Sequence, residues 1–174
     1  MKQEKKWFAL LTKSNYENIV YEGILQKKIE AFLPKVKTQS RRRDRRIMLE
    51  RPLFPGYLFI RICGHPGDHL NALKTVGAVR LLGNNTGPVP VASGQIESLR
   101  ILTGTETDVI TGSSALLKRG DPVMILEGPM AGLKGEFVHY KGKSRVVIHV
   151  EALQQFAGIE VKEHNVEKLP GILT

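Results

Sequence analysis

The sequence predicts an α+β protein of two domains: an α/β sandwich with a mostly antiparallel sheet over residues 1–102 and a five-stranded β-barrel over 118–174, joined by a linker at 103–117. Three observations carry this expectation. Strand and helix signals are interspersed through the first half without repeated βαβ units. Residues 103–117 turn Thr-, Gly- and Ser-rich and lose periodicity, which marks a flexible connection. Beyond them, five short β-rich runs and no helical period fill about fifty-five residues, and so small a strand set covers its own edges by closing. At 174 residues the chain exceeds the usual single small domain.

The first strand is 7–11, Trp-Phe-Ala-Leu-Leu. Ser14-Asn15-Tyr16-Glu17 has the form of a capping box, and Tyr16, Ile19, Val20, Gly23, Ile24 and Lys27 then recur on one helical face, so a helix is expected to end near Lys28. Residues 31–38 and 47–54 read as two extended segments flanking Arg41-Arg42-Arg43-Asp44-Arg45-Arg46, which places the arginines at the tip of a long hairpin or ordered loop. Asp68 is positioned to cap a short helix carrying Leu70 and Leu73. Residues 78–82 form another strand, and Gly83-Asn84-Asn85-Thr86-Gly87 is turn chemistry. Ser93 caps a last helix with Ile96, Leu99 and Leu102 inward. In the second half the strands are 122–126, 135–140, 145–150, 158–161 and 165–169, separated by Gly- and Lys-rich turns.

The strand within 52–62, Pro-Leu-Phe-Pro-Gly-Tyr-Leu-Phe-Ile-Arg-Ile, is the most informative stretch. Alternation puts Leu58, Ile60 and Ile62 on one side, an ordinary core face, and Tyr57, Phe59 and Arg61 on the other. Two aromatics and a cation, with Phe54 close by, are residue types enriched at protein interfaces. A docking face with Tyr57 and Phe59 partly exposed is one reading. A strand covered on both sides, with both rings in the core, is the other.

Charge is uneven. The total is +9, but residues 1–102 hold 18 Lys/Arg against 8 Asp/Glu, and residues 103–174 hold 8 against 9. A cation cluster such as 41–46 is the electrostatic footprint of a polyanion, because each neutralised phosphate releases counterions; a solvated loop is the bland alternative. The single cysteine, Cys63, rules out an intramolecular disulfide and a Cys-pair zinc site, and the five histidines show no metal-ligand spacing. No apolar run approaches the roughly 18 residues of a membrane span. No secretory leader is apparent, so a cytoplasmic location is expected. Neither a phosphate loop, a Ser-His-Asp or Cys-His arrangement, nor a paired-carboxylate motif stands out, so neither catalysis nor a cofactor is expected.

Four segments together resemble the NusG family of transcription elongation factors. They are the Trp7 strand, the Phe54-Pro55-Gly56-Tyr57 strand, Arg80-Leu81-Leu82-Gly83 with Pro88-Val89-Pro90-Val91, and the Gly-Asp-x-Val-x-Ile-x-Glu-Gly-Pro-x-Ala-Gly-x-Lys-Gly run at 120–135. The first half resembles the NusG amino-terminal domain, and the second, including Val166-Glu167-Lys168-Leu169, the KOW-motif domain. The resemblance implies docking of Phe54, Tyr57 and Phe59 on the clamp helices of the largest RNA polymerase subunits. It also implies pause suppression and contact with non-template DNA or nascent RNA, for which Lys13, Tyr16 and His69 are candidates beside the arginines. For the second domain it implies partner recruitment through Ala152, Leu153 and Gln155, with ribosomal protein S10 as one partner. The stretch 150–156 lacks the Phe-Gly-Arg often found there, which puts engagement of Rho in doubt.

The arginine cluster and the Pro-Leu-Phe-Pro-Gly-Tyr-Leu-Phe wording are similar to specialised operon-directed antiterminators; a monomer is expected. The general factor acting with Rho and a ribosome-associated KOW protein are the alternatives. Neutralising any of Arg41, Arg42, Arg43, Arg45 or Arg46 that contacts phosphate should lower the salt slope of nucleic-acid binding by about 0.7–0.9 per contact. An unchanged slope in the multiple mutant would remove the cluster from the interface.

Overall fold

Two strands near the middle of the first sheet set the register of everything around them. In the computed structural model, which describes residues 3–40 and 47–170, β1 (Lys5–Thr12) and β5 (Tyr57–Cys63) pair antiparallel from Lys5↔Cys63 to Leu11↔Tyr57. β2 (Glu30–Phe32) adds to the far edge of β5, and β6 (Ala78–Leu81) and β9 (Pro90–Val91) both pair with β1. The resulting order is β2-β5-β1-β6, with β9 also on β1. The chain divides into two units, Met1–Ser93 and Gly94–Thr174.

Period-two alternation then sorts the side chains. Phe8, Leu10, Leu58, Ile60, Ile62 and Leu81 gather on one face, where Val20 and Ile24 of α1 (Glu17–Gln26) and Ala72 of α2 (Pro66–Leu73) join them in a single buried cluster. Both helices begin differently from the sequence expectation. The N-cap of α1 is Tyr16, with no side-chain cap, and Ser14 lies outside the helix. Glu17 does not reach back into a capping box; its carboxylate is taken by a distant turn. In α2 the N-cap is His65, whose Nδ1 accepts from Gly67 N at 3.0 Å, with Pro66 opening the helix. Leu70 is exposed on this helix, and Ala72 is buried in the core.

The turn that takes up Glu17 is 54–57. Tyr57 N–H donates to Phe54 O at 3.1 Å, Pro55 precedes Gly56, and Gly56 sits at φ +86°, the combination of a type II turn. Gly56 is held from both sides: its carbonyl accepts from Thr12 N at 2.8 Å and its N–H donates to Glu17 Oε1 at 2.8 Å. Glu17 is itself buried.

The expected hairpin is present as β3 (Lys35–Gln39) against β4 (Met48–Pro52), paired from Lys35↔Pro52 to Gln39↔Met48. The five arginines expected at its tip, Arg41, Arg42, Arg43, Arg45 and Arg46, lie outside the described residues. The turn expected at 83–87 joins the two-residue strands β7 (Gly83–Asn84) and β8 (Gly87–Pro88), with Asn84 Oδ1 accepting from Thr86 N at 2.9 Å.

The second unit takes in α3 (Ser93–Thr103), which buries Ile96, Leu99 and Leu102 as expected; its Ser98 hydroxyl accepts from Lys134 N at 3.1 Å. Six antiparallel strands follow, β10 (Val109–Ser113), β11 (Asp121–Ile125), β12 (Lys134–Tyr140), β13 (Lys143–Val150), β14 (Gln155–Glu160) and β15 (Val166–Lys168). They lie in the order β10-β14-β13-β12-β11-β15 around Val138, Val147 and Phe156. This corrects the predicted five-stranded closed barrel: among the described residues no ladder joins β15 back to β14 or β10. The edge of β14 that closure would need is occupied by β10, a strand inside the segment expected to be a linker. The composition misled because Gly112, read as a flexibility signal, is a close-approach glycine; a Cβ there would lie 2.9 Å from the Phe156 ring.

The hold on Gly56 makes two stability predictions. Gly56→Ala has room for its methyl, 4.0 Å from Leu11 Cδ1, so its cost comes from the positive φ alone, about 1–2 kcal/mol. Glu17→Ala leaves the Gly56 N–H without its acceptor and should cost about 1–3 kcal/mol. Urea unfolding midpoints check both; unchanged midpoints would show that the turn does not depend on this contact.

Candidate functional site

The second face of β5 grades from buried to exposed along the strand. Phe59 is flanked by its register partners Ala9 and Phe32, and the Phe32 and Phe59 rings stack at 6.2 Å between centroids. Phe59 and Phe54 are 0% exposed, Tyr57 is half-buried, and Arg61 is exposed and paired with Glu30 at 3.3 Å. The expectation that Phe59 is partly exposed is therefore corrected. With Leu58, Phe59 and Ile60 all fully buried, the middle of β5 is a two-sided core strand. Of the three aromatics expected to dock a partner, only Tyr57, the last residue of the turn, keeps surface.

Between β1 and α1, Lys13 and Tyr16 stand together. Lys13 Nζ lies 6.0 Å from the Tyr16 ring centroid, and Lys13 N–H donates to Gly77 O at 2.9 Å. Gly77, at φ +90°, leaves the space that the Tyr16 ring uses: a Cβ there would sit 2.5 Å from Tyr16 Cδ1. Beyond this contact opens a cleft of about 450 Å³, lined among others by Ile19, Gln26, Lys27, Lys74, Thr75 and Val76. Among the described residues the buried Thr75 hydroxyl makes no hydrogen bond. A stacking-capable aromatic beside one lysine can hold a base and a phosphate at once; the cleft adds Lys74 and Lys27, whose Nζ donates to Asn71 O, and one carboxylate, Glu22. Lys27 and Lys74 were missed in the sequence because they are 47 residues apart and neither belongs to a charge run. The signal that could have found them is the pairing of a helix C-terminus with the loop after α2, which only a topology supplies.

His69 is not brought to this surface. Its ring stands edge-on to Phe8 at 5.5 Å, and among the described residues its shielded Nε2 makes no hydrogen bond.

In the second unit the predicted partner residues lie at a tight turn between β13 and β14. Leu153 is buried, Ala152 and Gln155 are half-buried, and Gln154 between them takes a left-handed conformation at φ +52°. Beside this turn is a cluster with no sequence signature. His149 is buried, its Nδ1 is 3.1 Å from Ser114 Oγ, and its Nε2 is 3.3 Å from Glu136 Oε2 without a hydrogen bond. Arg119 ties Glu136 at 2.6 Å and Glu151 at 3.1 Å, and Gly120 N–H donates to Glu136 at 3.2 Å. Burial holds the His149 imidazole below its usual range, Arg119 adds to that, and Glu136 offsets only part. The two carboxylates have the opposite effect on Arg119, whose guanidinium is held above its usual range chiefly by its hydrogen bond to Glu136. Ser114, His149 and Glu136 thus stand side by side although no motif announced them, with no hydrogen bond closing the last step. Glu136 is already committed to Arg119 and Gly120.

Comparison with known proteins decides the family. A family model described as "Transcription termination factor nusG" matches residues 5–100. The chain belongs to the NusG family. It is 25% identical over 171 residues to the transcription termination/antitermination protein NusG of Streptococcus pyogenes serotype M1, covering 91% of this chain and 94% of that protein. It is 24% identical over 181 residues to the NusG of Bacillus subtilis (strain 168), covering 95% and 99%. Among solved structures, Thermotoga maritima NusG is similar with a TM-score of 0.54 at 22% identity, covering 95% of this chain and 98% of that one, which supports the fold. The NusG-matched segment takes in Lys13, Tyr16, Phe54, Tyr57, Phe59 and the Lys27–Lys74 cleft; the His149 cluster lies outside it. Among the described residues no helix is long and apolar enough to cross a membrane, and no group of His, Cys, Asp and Glu is arranged to hold a metal.

Two predictions arise from these placements. Phe59→Ala should cost about 3–5 kcal/mol of folding stability, a core penalty, whereas Tyr57→Ala should cost well under half of that; thermal unfolding of the pair checks the gradient along β5. For His149, the unfolded chain takes up a proton near pH 6.5 that the folded state resists. Its contribution to stability is therefore complete above that pH and is lost as pH falls through the unfolded value toward the depressed folded one. His149→Gln should flatten the acid side of the melting-temperature profile; an unaltered profile would mean that another group controls it.

Proposed function

We propose that this NusG-family chain is a transcription elongation and antitermination factor that docks on RNA polymerase through its first domain. The clamp helices of the largest subunits are the proposed surface. The observation that carries this reading is the family match over 5–100, which contains the turn pinned by Glu17 and the half-buried Tyr57. Tyr57 is the proposed direct contact, and Phe54 and Phe59 support it from the core. Bound there, the domain suppresses pausing or termination. Non-template DNA or nascent RNA is held by Lys13 and Tyr16, with Lys27 and Lys74 in the adjoining cleft and the arginines at 41–46.

The second unit, read as a KOW-type domain, recruits further partners around Ala152, Leu153 and Gln155, with ribosomal protein S10 the proposed one and Rho not. What supports this is the Gly-rich run at 120–135 and the antiparallel sheet built from it. The lack of Phe-Gly-Arg in 150–156 and the arginine cluster favour a specialised, operon-directed role; a cytoplasmic monomer is the proposed form.

In vitro transcription on the protein's own upstream leader, with and without the factor, tests the reading; no change in pausing or readthrough would overturn it. Tyr57→Ala should weaken polymerase binding by about 2 kcal/mol with nearly unchanged melting. Lys13→Ala with Lys74→Ala should lower nucleic-acid affinity and its salt slope while leaving polymerase pull-down intact.

A further inference from the structure

Ser114, Ala115, Leu117, Arg119, His149 and Glu151 line a cleft of about 330 Å³ in the second unit. That volume is at the small end of ligand sites, so one side chain fits it better than an extended molecule. The charges are unbalanced. Among the described residues, the charged and titratable groups facing His149 are Glu136 from β12, Arg119 ahead of β11 and Glu151 after β13; the uncharged groups against it are Ser114 and the Phe156 ring of β14, 6.3 Å away. With the imidazole neutral, two carboxylates meet one guanidinium and the cluster carries a net negative charge. The two carboxylates differ in availability. Glu136 is 22% exposed and bound by Arg119 and Gly120 N–H. Glu151 is 75% exposed and is held at 3.1 Å by an Arg119 that is itself 64% exposed. An ion pair that exposed is weak and can be shared with a newcomer. Ala115 and Leu117 provide apolar surface beside it, and Leu117 is anchored on the core around Phe156.

We propose that this cleft receives the side chain of a lysine or arginine from a partner protein, with its alkyl stem against Ala115 and Leu117 and its charge on Glu151. Long cationic side chains bury their stems along apolar surface while the head keeps a polar partner. The inference rests on the reading of the second unit as a partner-recruiting domain, and it names the chemistry of the segment recruited. His149 makes the site proton-sensitive: buried and neutral, it leaves the negative charge uncancelled, and once protonated beside Glu136 it cancels that charge and repels the incoming cation.

The test uses the full chain, isotopically labelled, with the amide signals of Ser114, Ala115 and Gln154 followed by NMR. The probe is a blocked pentapeptide, Gly-Gly-Arg-Gly-Gly, against the same peptide with neutral citrulline and with Glu in place of Arg. The expected result is binding of the Arg peptide with a dissociation constant on the order of 1 mM. Citrulline, or Glu151→Gln in the protein, should weaken it about fivefold, the effect of one ion pair at a partly exposed site. Lowering the pH from about 7.5 to about 5.5 should weaken it further in the wild type and less in His149→Gln. Equal shifts with citrulline, a preference for the Glu peptide, or no shifts at these three amides would overturn the proposal. Polymerase pull-down on the same preparation separates the two readings. Retained pull-down without peptide binding defeats only this inference, and peptide binding without pull-down defeats only the polymerase assignment.

Discussion

The contact on which the first unit depends is the hydrogen bond between the Glu17 carboxylate and the Gly56 N–H. It joins the first residue of α1 to the left-handed residue of the turn that opens β5, across 39 positions of sequence. The Thr12 N–H holds the same glycine's carbonyl from the end of β1. Between them, these bonds fix where β5 begins relative to β1. Side chains in a strand alternate with a period of two, so a slip of one residue would exchange the faces of Leu58, Phe59 and Ile60. A carboxylate at a helix start is also well placed electrostatically, because the exposed N–H groups there carry partial positive charge.

From that register follows the difference between the two faces of β5. One is an aliphatic core shared with α1 and α2. The other places Phe59 between Ala9 and Phe32, where ring stacking and full burial make it a packing residue. Tyr57 escapes because it sits where the turn hands over to the strand, with neighbours on fewer sides. The same turn thus creates a rigid support and a single aromatic at its margin. Rigid aromatics favour interfaces because little side-chain freedom is lost on binding.

The second unit solves its edge problem differently from the expected closure. β10 is laid along β14, leaving the sheet open while giving β14 a full set of partners. Ser114, in the turn that leaves β10, then meets His149, and Arg119 bridges Glu136 and Glu151. Placing β10 there is what assembles the cluster, so the departure from a simple barrel and the charged cleft have one cause.

How much of this was readable beforehand depends on the range of the interactions involved. The alternation of β1 and β5, the hairpin flanking the arginines, α3 with Ile96, Leu99 and Leu102, and the family resemblance carried by Phe54 to Tyr57 are encoded by neighbouring residues, and the sequence by itself determined them. Helix starts were misread because a cap is a competition: Glu17 prefers a distant N–H to its own helix, and His65 outcompetes Asp68. The burial of Phe59, the inward turn of His69, the meeting of Lys27 with Lys74, and the His149 cluster were decided only by tertiary structure. Each depends on groups many residues apart whose proximity no local period, charge run or motif can specify, because it arises from strand register and from which edge a strand joins.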